Sequence, residues 1–361
     1  DVVSWNALIT AYAQNGLCYE ALECFRNMPS LGVRPSAVTF ACILKACGII
    51  GTLEIGEDVD AEVRRQGLLQ KDVVLGNALV DMYSKCGVME KAQGVFEELP
   101  VKNVVTWSSL IAGYVQLGLA DEALKCFRQM QDSGVIPDEV TYVYVLKTCG
   151  MLGSQEIGEG IDLTVRKQGL LQRNVVLCTA LVDMYSKCGA HEKAREMFEK
   201  LPMQDIISWS ALISGYAQSG QANTVLDLYR RMRGQGIVPN VVTFTGLLTA
   251  CSHSGDKLKG WELFKSMTDD TVNPRIEHFN SMIDLLGHSG NLYVAKELLD
   301  TMPHSPSMTS WLSLLHSCKL YDNKLLGHTC FSQAFHLDRN LAAGYVLLAN
   351  LHANYGCKNN S

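Results

Sequence analysis

Apolar residues recur along the chain with helical spacing and are interrupted at regular intervals. Trp5, Leu8, Ile9 and Tyr12 fall at i, i+3, i+4 and i+7, which predicts one apolar face of a helix. Gly16 follows that stretch. Beyond it Ala21, Leu22, Phe25 and Met28 form a second apolar face, and Gly32 with Pro35 after it is a helix-stop pattern. No period-two alternation intervenes, so the pattern predicts helices without strands. Neither short helix can bury its face alone. The expected unit is a helix–turn–helix hairpin that stacks on neighbours of its own kind.

The neighbours are visible as repeats. Trp5, Trp107, Trp209 and Trp311 are each 102 residues apart, and Cys47, Cys149 and Cys251 keep the same period. So do Pro35, Pro137 and Pro239, while YSKCG at 83–87 returns at 185–189. Each 102-residue period divides into three hairpins. Starting at Val2, Ala37, Val73, Val104, Glu139, Val175, Ile206, Val241 and Ile276, the lengths run 35, 36, 31, 35, 36, 31, 35 and 35 before a final shorter one. The fifteenth residue of all nine is glycine: Gly16, Gly51, Gly87, Gly118, Gly153, Gly189, Gly220, Gly255 and Gly290. A helix that ends in the left-handed region most easily uses glycine.

Composition narrows the function classes. The chain has 361 residues, 47% of them hydrophobic and 19% charged, which excludes wholesale disorder. No uninterrupted apolar run reaches membrane-span length, so no membrane partner is expected. The net charge of −6 excludes a strongly basic arm but leaves room for a local basic stripe. None of the thirteen cysteines are spaced C-x-x-C, and the odd count suits a reducing compartment. The recurrence of Cys47, Cys149 and Cys251 at one repeat position predicts buried packing groups. All nine histidines lie at or after His191, without the i, i+4 and carboxylate pattern of a helical metal site. The periodic tryptophans are expected in the core. With no phosphate loop, nucleophile elbow or paired carboxylates, no cofactor, metal or catalytic residue is expected. The sequence opens on Asp1, so any targeting segment is expected upstream of it.

The residue pattern alone leaves two helical-repeat families of about this length open, one that binds peptides and one that binds RNA. The length order 35, 36, 31 and the segments VVSWNALITAYAQNG, AVTFACILKACGIIG and VVLGNALVDMYSKCG resemble the standard, long and short repeats of the pentatricopeptide repeat family. SWLSLLHSCKLYDNKLLG and GYVLLANLHANYG are similar to the E-type extension motifs of land-plant organelle RNA-editing factors. The resemblance implies an all-α solenoid, a superhelix of stacked helix–turn–helix repeats. Nine repeats are expected, at 2–36, 37–72, 73–103, 104–138, 139–174, 175–205, 206–240, 241–275 and 276–307. TPR-like E-type motifs follow at 308–356, the second cut short, with a tail at 357–361.

A stack of like hairpins presents the same positions at regular intervals, so one base of an open single strand per hairpin is a geometric option. Position five carries a small polar residue in Asn6, Asn77, Ser108, Thr179, Ser210, Thr245 and Asn280. The resemblance pairs that position with the last residue of the same repeat. The partners are Ser36 for Asn6, Asn103 for Asn77, Asp138 for Ser108, Asp205 for Thr179, Asn240 for Ser210, Arg275 for Thr245 and Ser307 for Asn280. The family's code turns these pairs into 5′-C-N-Y-G-N-G-A-N-Y, with Ala41 and Val143 as spacers and the Thr245–Arg275 pair outside the code. Lys85 and Lys187 at position thirteen and Lys45 and Lys147 at position nine are candidate phosphate contacts, with Gln14, Gln116 and Gln218 at position thirteen of the standard repeats. The net negative charge is then expected on the second helices, where Glu54, Glu57, Asp58 and Glu62 lie.

The functional expectation is a recognition factor for cytidine-to-uridine editing in a mitochondrion or chloroplast. Its partners would be single-stranded organellar RNA, not DNA, and a DYW-type deaminase or other editing factor docked by the E-type segment. No H-x-E and C-x-x-C zinc set is present, so no deaminase activity of its own is expected. RNA stabilisation or splicing by the same binding mode, and a tetratricopeptide-type protein scaffold, are the alternatives.

Overall fold

The computed structural model describes residues 1–172, 174–338 and 342–353. Among them the chain is helical throughout, with 21 α-helices, two short 3₁₀ turns and no strand. Ten hairpins succeed one another, from Val2–Gln14 with Cys18–Asn27 to Met308–Leu320 with Lys324–Leu337, and the helix Ala342–Ala353 follows. The fold is an all-α repeat solenoid. The end of the expected extension, 354–356, and the tail, 357–361, lie outside the described residues.

Contacts divide the chain into two compact modules, one spanning Asp1–Met184 and the other beginning at Tyr185. The same two-layer packing occurs in each. In the first module Val2–Gln14, Ala37–Ile50, Val73–Lys85, Val104–Gln116 and Glu139–Leu152 pack side by side in one row. In the second, Ile206–Gln218, Val241–Ser254, Ile276–His288, Met308–Leu320 and Ala342–Ala353 do the same. A second helix packs on the first helix of its own hairpin and on that of the next. Within each module a hairpin therefore completes its core with its successor, which is why one alone would not fold.

The chain turns where the glycines stand. The nine position-fifteen glycines have φ between 66° and 79°, the left-handed region that L side chains avoid. A second series, Gly32, Gly67, Gly134, Gly169 and Gly236, turns the chain out of the second helix with φ of 63–75°.

The core follows the apolar pattern with one difference. Ile9, Ala21 and Met28 are wholly buried, whereas Leu8 is 43% exposed. Its counterparts Leu110 and Leu212, each with a preceding hairpin beside it, are buried. Trp107, Trp209 and Trp311 are core residues, and Trp107 and Trp209 meet Phe96 and Phe198 edge-on at 4.6 Å between ring centres. Cys47, Cys149 and Cys251 are buried, and burial pushes the Cys47 and Cys251 thiols up to about 11. These thiols are inert packing groups at neutral pH.

Candidate nucleic-acid interface

The last residue of each repeat, Arg275 apart, caps the first helix of the next. Ser36, Asn103, Asp138, Asp205, Asn240 and Ser307 are extended residues whose side chains accept the backbone N–H three residues on. That satisfies one of the orphan donors at a helix start and stabilises each helix by about 1 kcal/mol. In most of them the residue three positions on answers through its hydroxyl, which accepts the N–H of the cap, as Thr39 does from Ser36 at 2.9 Å. Sequence reasoning placed these residues as partners of position five and missed that they are caps. The signal was present, because Ser, Asn or Asp followed three residues later by Thr or Ser recurs before the first helix of seven of the ten hairpins.

Capping brings the terminal residue to position five of its own repeat. The Asn6 amide donates from Nδ2 to Ser36 Oγ at 3.0 Å, and Asn77 Nδ2 donates to Asn103 Oδ1 at 3.3 Å. Ser210 Oγ donates to Asn240 Oδ1 at 3.2 Å. Ser108 and Asp138 meet through Thr141, whose Oγ1 lies 2.6 Å from each of them. Asn280 and Ser307 meet through Ser310 in the same way. Thr179 and Asp205 belong to different modules. Thr179 Oγ1 donates to the Val175 carbonyl at 2.9 Å, and Asp205 caps Ile206–Gln218.

The position-five groups are not equally open. Asn6, Asn77 and Asn280 are half-buried, while Ser108, Thr179 and Ser210 are 7%, 8% and 3% exposed. Ser108 also donates to the Val104 carbonyl at 2.7 Å, so its outward capacity is as an acceptor. Ala41 and Val143 offer no such group. In the 241–275 repeat His278 stands where the others have Thr or Ser. Its Nδ1 accepts the Arg275 N–H at 2.9 Å, and its Nε2 lies 3.2 Å from Thr245 Oγ1 and 2.9 Å from the Val241 carbonyl. Burial pulls this imidazole below its ordinary value and keeps it neutral, with the proton on Nε2.

The four lysines differ as well. Lys45 and Lys147 are exposed on the first helices. Lys85 is exposed but pairs with Asp81 at 2.6 Å one turn back, which offsets part of its charge, and Lys187 also has a partner. Gln14, Gln116 and Gln218 are exposed. On the helix Leu53–Arg65 the acids are not unopposed: Glu57 pairs with Lys91, Glu62 with Arg65, and buried Asp60 with Arg64. The second helices carry both signs laced together, so the charge expected there is largely paired.

No helix is long and apolar enough to cross a membrane, and no group of three or more metal-ligating side chains occurs, in each case among the described residues. A solenoid of capped hairpins with a polar pair repeated along its first helices defines a protein of the helical-repeat class. Sequence comparison makes the class specific. The PPR repeat family matches residues 1–48, 102–151 and 204–253, and the PPR repeat matches 77–104, 176–206, 242–272 and 277–305. The chain belongs to the pentatricopeptide repeat family.

Among its Arabidopsis thaliana relatives, pentatricopeptide repeat-containing protein At4g39530 is 42% identical over 99% of this chain and 43% of its own length. The chloroplastic At1g08070 is 41% identical over 92% of this chain and 45% of its own length. The putative mitochondrial At3g11460 is 35% identical over 97% of this chain and 56% of its own length. The chain thus spans about half the length of the curated relatives it matches. Among solved structures, the pentatricopeptide repeat protein PPR10 in complex with an 18-nt psaJ RNA element aligns over 98% of this chain and 58% of that one. Its TM-score is 0.69 at 16% identity, a likeness of fold.

Proposed function

We propose that the chain binds single-stranded RNA sequence-specifically, one base to each hairpin with a polar position five. The observation that carries the reading is the recurring meeting of position five with the cap that follows it. One hairpin presents an amide beside a hydroxyl at Asn6 and Ser36, and another a hydroxyl beside a carboxylate at Ser108 and Asp138. Guanine's Watson–Crick edge offers two adjacent donor groups, which suits the acceptor-rich Ser108–Asp138 pair. Cytosine's edge offers two acceptors and one donor, which suits an amide with a hydrogen to spare. The two hairpins with Ala41 and Val143 would let a base pass unread.

Within that reading, the chain acts as the recognition part of an organellar cytidine-to-uridine editing machinery. The deaminase is supplied in trans or lies outside this sequence, and the segment from Met308 docks it. The relatives' names carry both mitochondrion and chloroplast, which supports an organellar home without choosing one. The PPR10 complex supports RNA as the class of ligand.

The test is a gel shift with 5′-C-N-Y-G-N-G-A-N-Y against a scrambled oligonucleotide of the same composition. The matched RNA should bind at least about tenfold more tightly, because a good contact to one base edge contributes about 1–3 kcal/mol of discrimination. Equal affinity for the two, or no binding, would remove the reading.

A further inference from the structure

A buried polar residue stands at position three of each repeat that follows a polar position five, and wherever both lie in one module it meets the position-five side chain. These residues are Thr39, Thr106, Thr141, Ser208, Thr243, His278 and Ser310, and every one is wholly buried. The chain pairs their chemistry with position five of the preceding repeat. All seven repeats with a polar position five are followed by Thr, Ser or His at this place. The two repeats with Ala41 and Val143 are followed by Leu75 and Leu177. A capping role alone does not explain that correlation, because Asp72 and Asn174 cap their helices with leucine three residues on.

We propose that this buried hydroxyl is a positioning residue for base selectivity, setting which way the position-five group faces. A hydroxyl has one proton to give. Thr39 accepts the Ser36 N–H at 2.9 Å, and its own proton goes to Asn6 Oδ1 at 2.5 Å. Thr106 accepts the Asn103 N–H at 3.1 Å and gives its proton to Asn77 Oδ1 at 2.6 Å. Ser310 accepts the Ser307 N–H at 3.2 Å and donates to Asn280 Oδ1 at 2.6 Å. In all three hairpins the amide oxygen is thereby held inward, and of the two Nδ2 hydrogens one goes to the cap in Asn6 and Asn77 and to Thr309 Oγ1 at 3.5 Å in Asn280. The other remains for an acceptor on a pyrimidine.

Where position five is a serine, at Ser108 and Ser210, the direction reverses, and Thr243 gives its proton to Asn240 Oδ1 at 3.0 Å. Thr141 gives its proton to Asp138 Oδ1 at 2.6 Å, because a carboxylate can only accept. The one Ser108 proton is then held inward, between the Val104 carbonyl at 2.7 Å and Thr141 Oγ1 at 2.6 Å, which leaves Ser108 an acceptor toward the outside. The buried hydroxyl relays the chemistry of the cap to position five, so each base is read by three residues rather than two. Without it the asparagine amide can turn over, presenting oxygen or nitrogen alike, and selectivity at that base is lost.

The proposal rests on the RNA-binding reading, and the experiment separates the two. The 361-residue chain is titrated with single-stranded RNAs that vary only the first base, opposite Asn6, or only the third, opposite Asn77. Thr39→Val should erase the preference at the first base, a loss of about tenfold in discrimination, and leave the third base untouched. Thr106→Val should do the converse. Thr39→Ser keeps the hydroxyl and should keep the preference. Circular dichroism melts check that each variant folds, and either valine variant suffices should the other fail. A valine variant that still binds and keeps the parent's preference at its own base, or loses preference equally at every base, overturns the relay. A parent chain that shows no base preference on any probe overturns the RNA reading itself.

Discussion

Two residues stand in the left-handed region without being glycine. Thr271 has φ 59° at the place in its repeat where Gly32, Gly67, Gly134, Gly169 and Gly236 stand, and Asp322 has φ 53° where nine other hairpins have a glycine. An aspartate tolerates this conformation better than a β-branched threonine, whose side chain crowds the following carbonyl. Relief of that crowding is worth about 1–2 kcal/mol, and the freedom glycine adds to the unfolded chain takes back about 0.5–1 kcal/mol. Thr271→Gly should therefore raise stability by about 0.5–1 kcal/mol, read as a thermal midpoint higher by about 1–3 °C. A midpoint that falls would mean the Thr271 hydroxyl or methyl makes a contact outweighing the backbone strain. The sequence made the glycine series legible because a φ requirement leaves a one-letter mark at a fixed interval. It could not mark Thr271, where the backbone needs the same thing and the side chain does not say so.

Neighbouring first helices come close where one carries a glycine. A Cβ on Gly113 would lie 2.6 Å from Ser84 Cβ and 2.8 Å from Met89 Sδ, and one on Gly215 would lie 2.4 Å from Ser186 Cβ. Alanine in a helix interior is ordinarily worth about 1 kcal/mol over glycine. At Gly113 that gain is outweighed by overpacking of about 1–3 kcal/mol, since Ser84 sits on the facing helix and cannot rotate away with its Cβ. Gly113→Ala should lower the denaturation midpoint, while Gly94→Ala, on a second helix with nothing within 4 Å, should raise it. Urea titrations of the two variants check the opposite signs; equal signs would mean the helices can slide apart at no cost. The hairpins themselves were legible from the i, i+3, i+4 spacing, since burial of one face leaves a periodic trace. The joints between hairpins were not. Tyr83, whose hydroxyl donates to buried Asp60 at 2.8 Å, and the buried polar side chains at position three join residues 23 to 37 apart in the chain, and no local pattern records such a partnership.

At the scale of the whole chain, the proposed RNA binding draws affinity and selectivity from different residues. The buried and half-buried pairs can choose among bases, but they carry little net charge. Attraction for a polyanion has to come from exposed cations against a chain of net −6. Pairing on the second helices helps, because Lys91–Glu57 and Arg65–Glu62 cancel charge locally and leave a weaker opposing field. Lys45 and Lys147 stand on the first helices in exposed positions, where a phosphate would release a counterion on contact. Lys45→Ala and Lys147→Ala should each weaken binding about equally for matched and scrambled RNA. Each should also flatten the plot of log affinity against log salt by about 0.7, the value for one phosphate on a single strand. Lys85→Ala should change the slope less, because that ammonium is already held by Asp81 at 2.6 Å. Affinities measured between 50 and 200 mM salt decide the matter, since a slope change of about 0.7 over that fourfold range is about a 2.6-fold change relative to the parent chain. A lysine variant that alters base preference while leaving the salt slope unchanged would move that residue from the phosphate path to the reading surface.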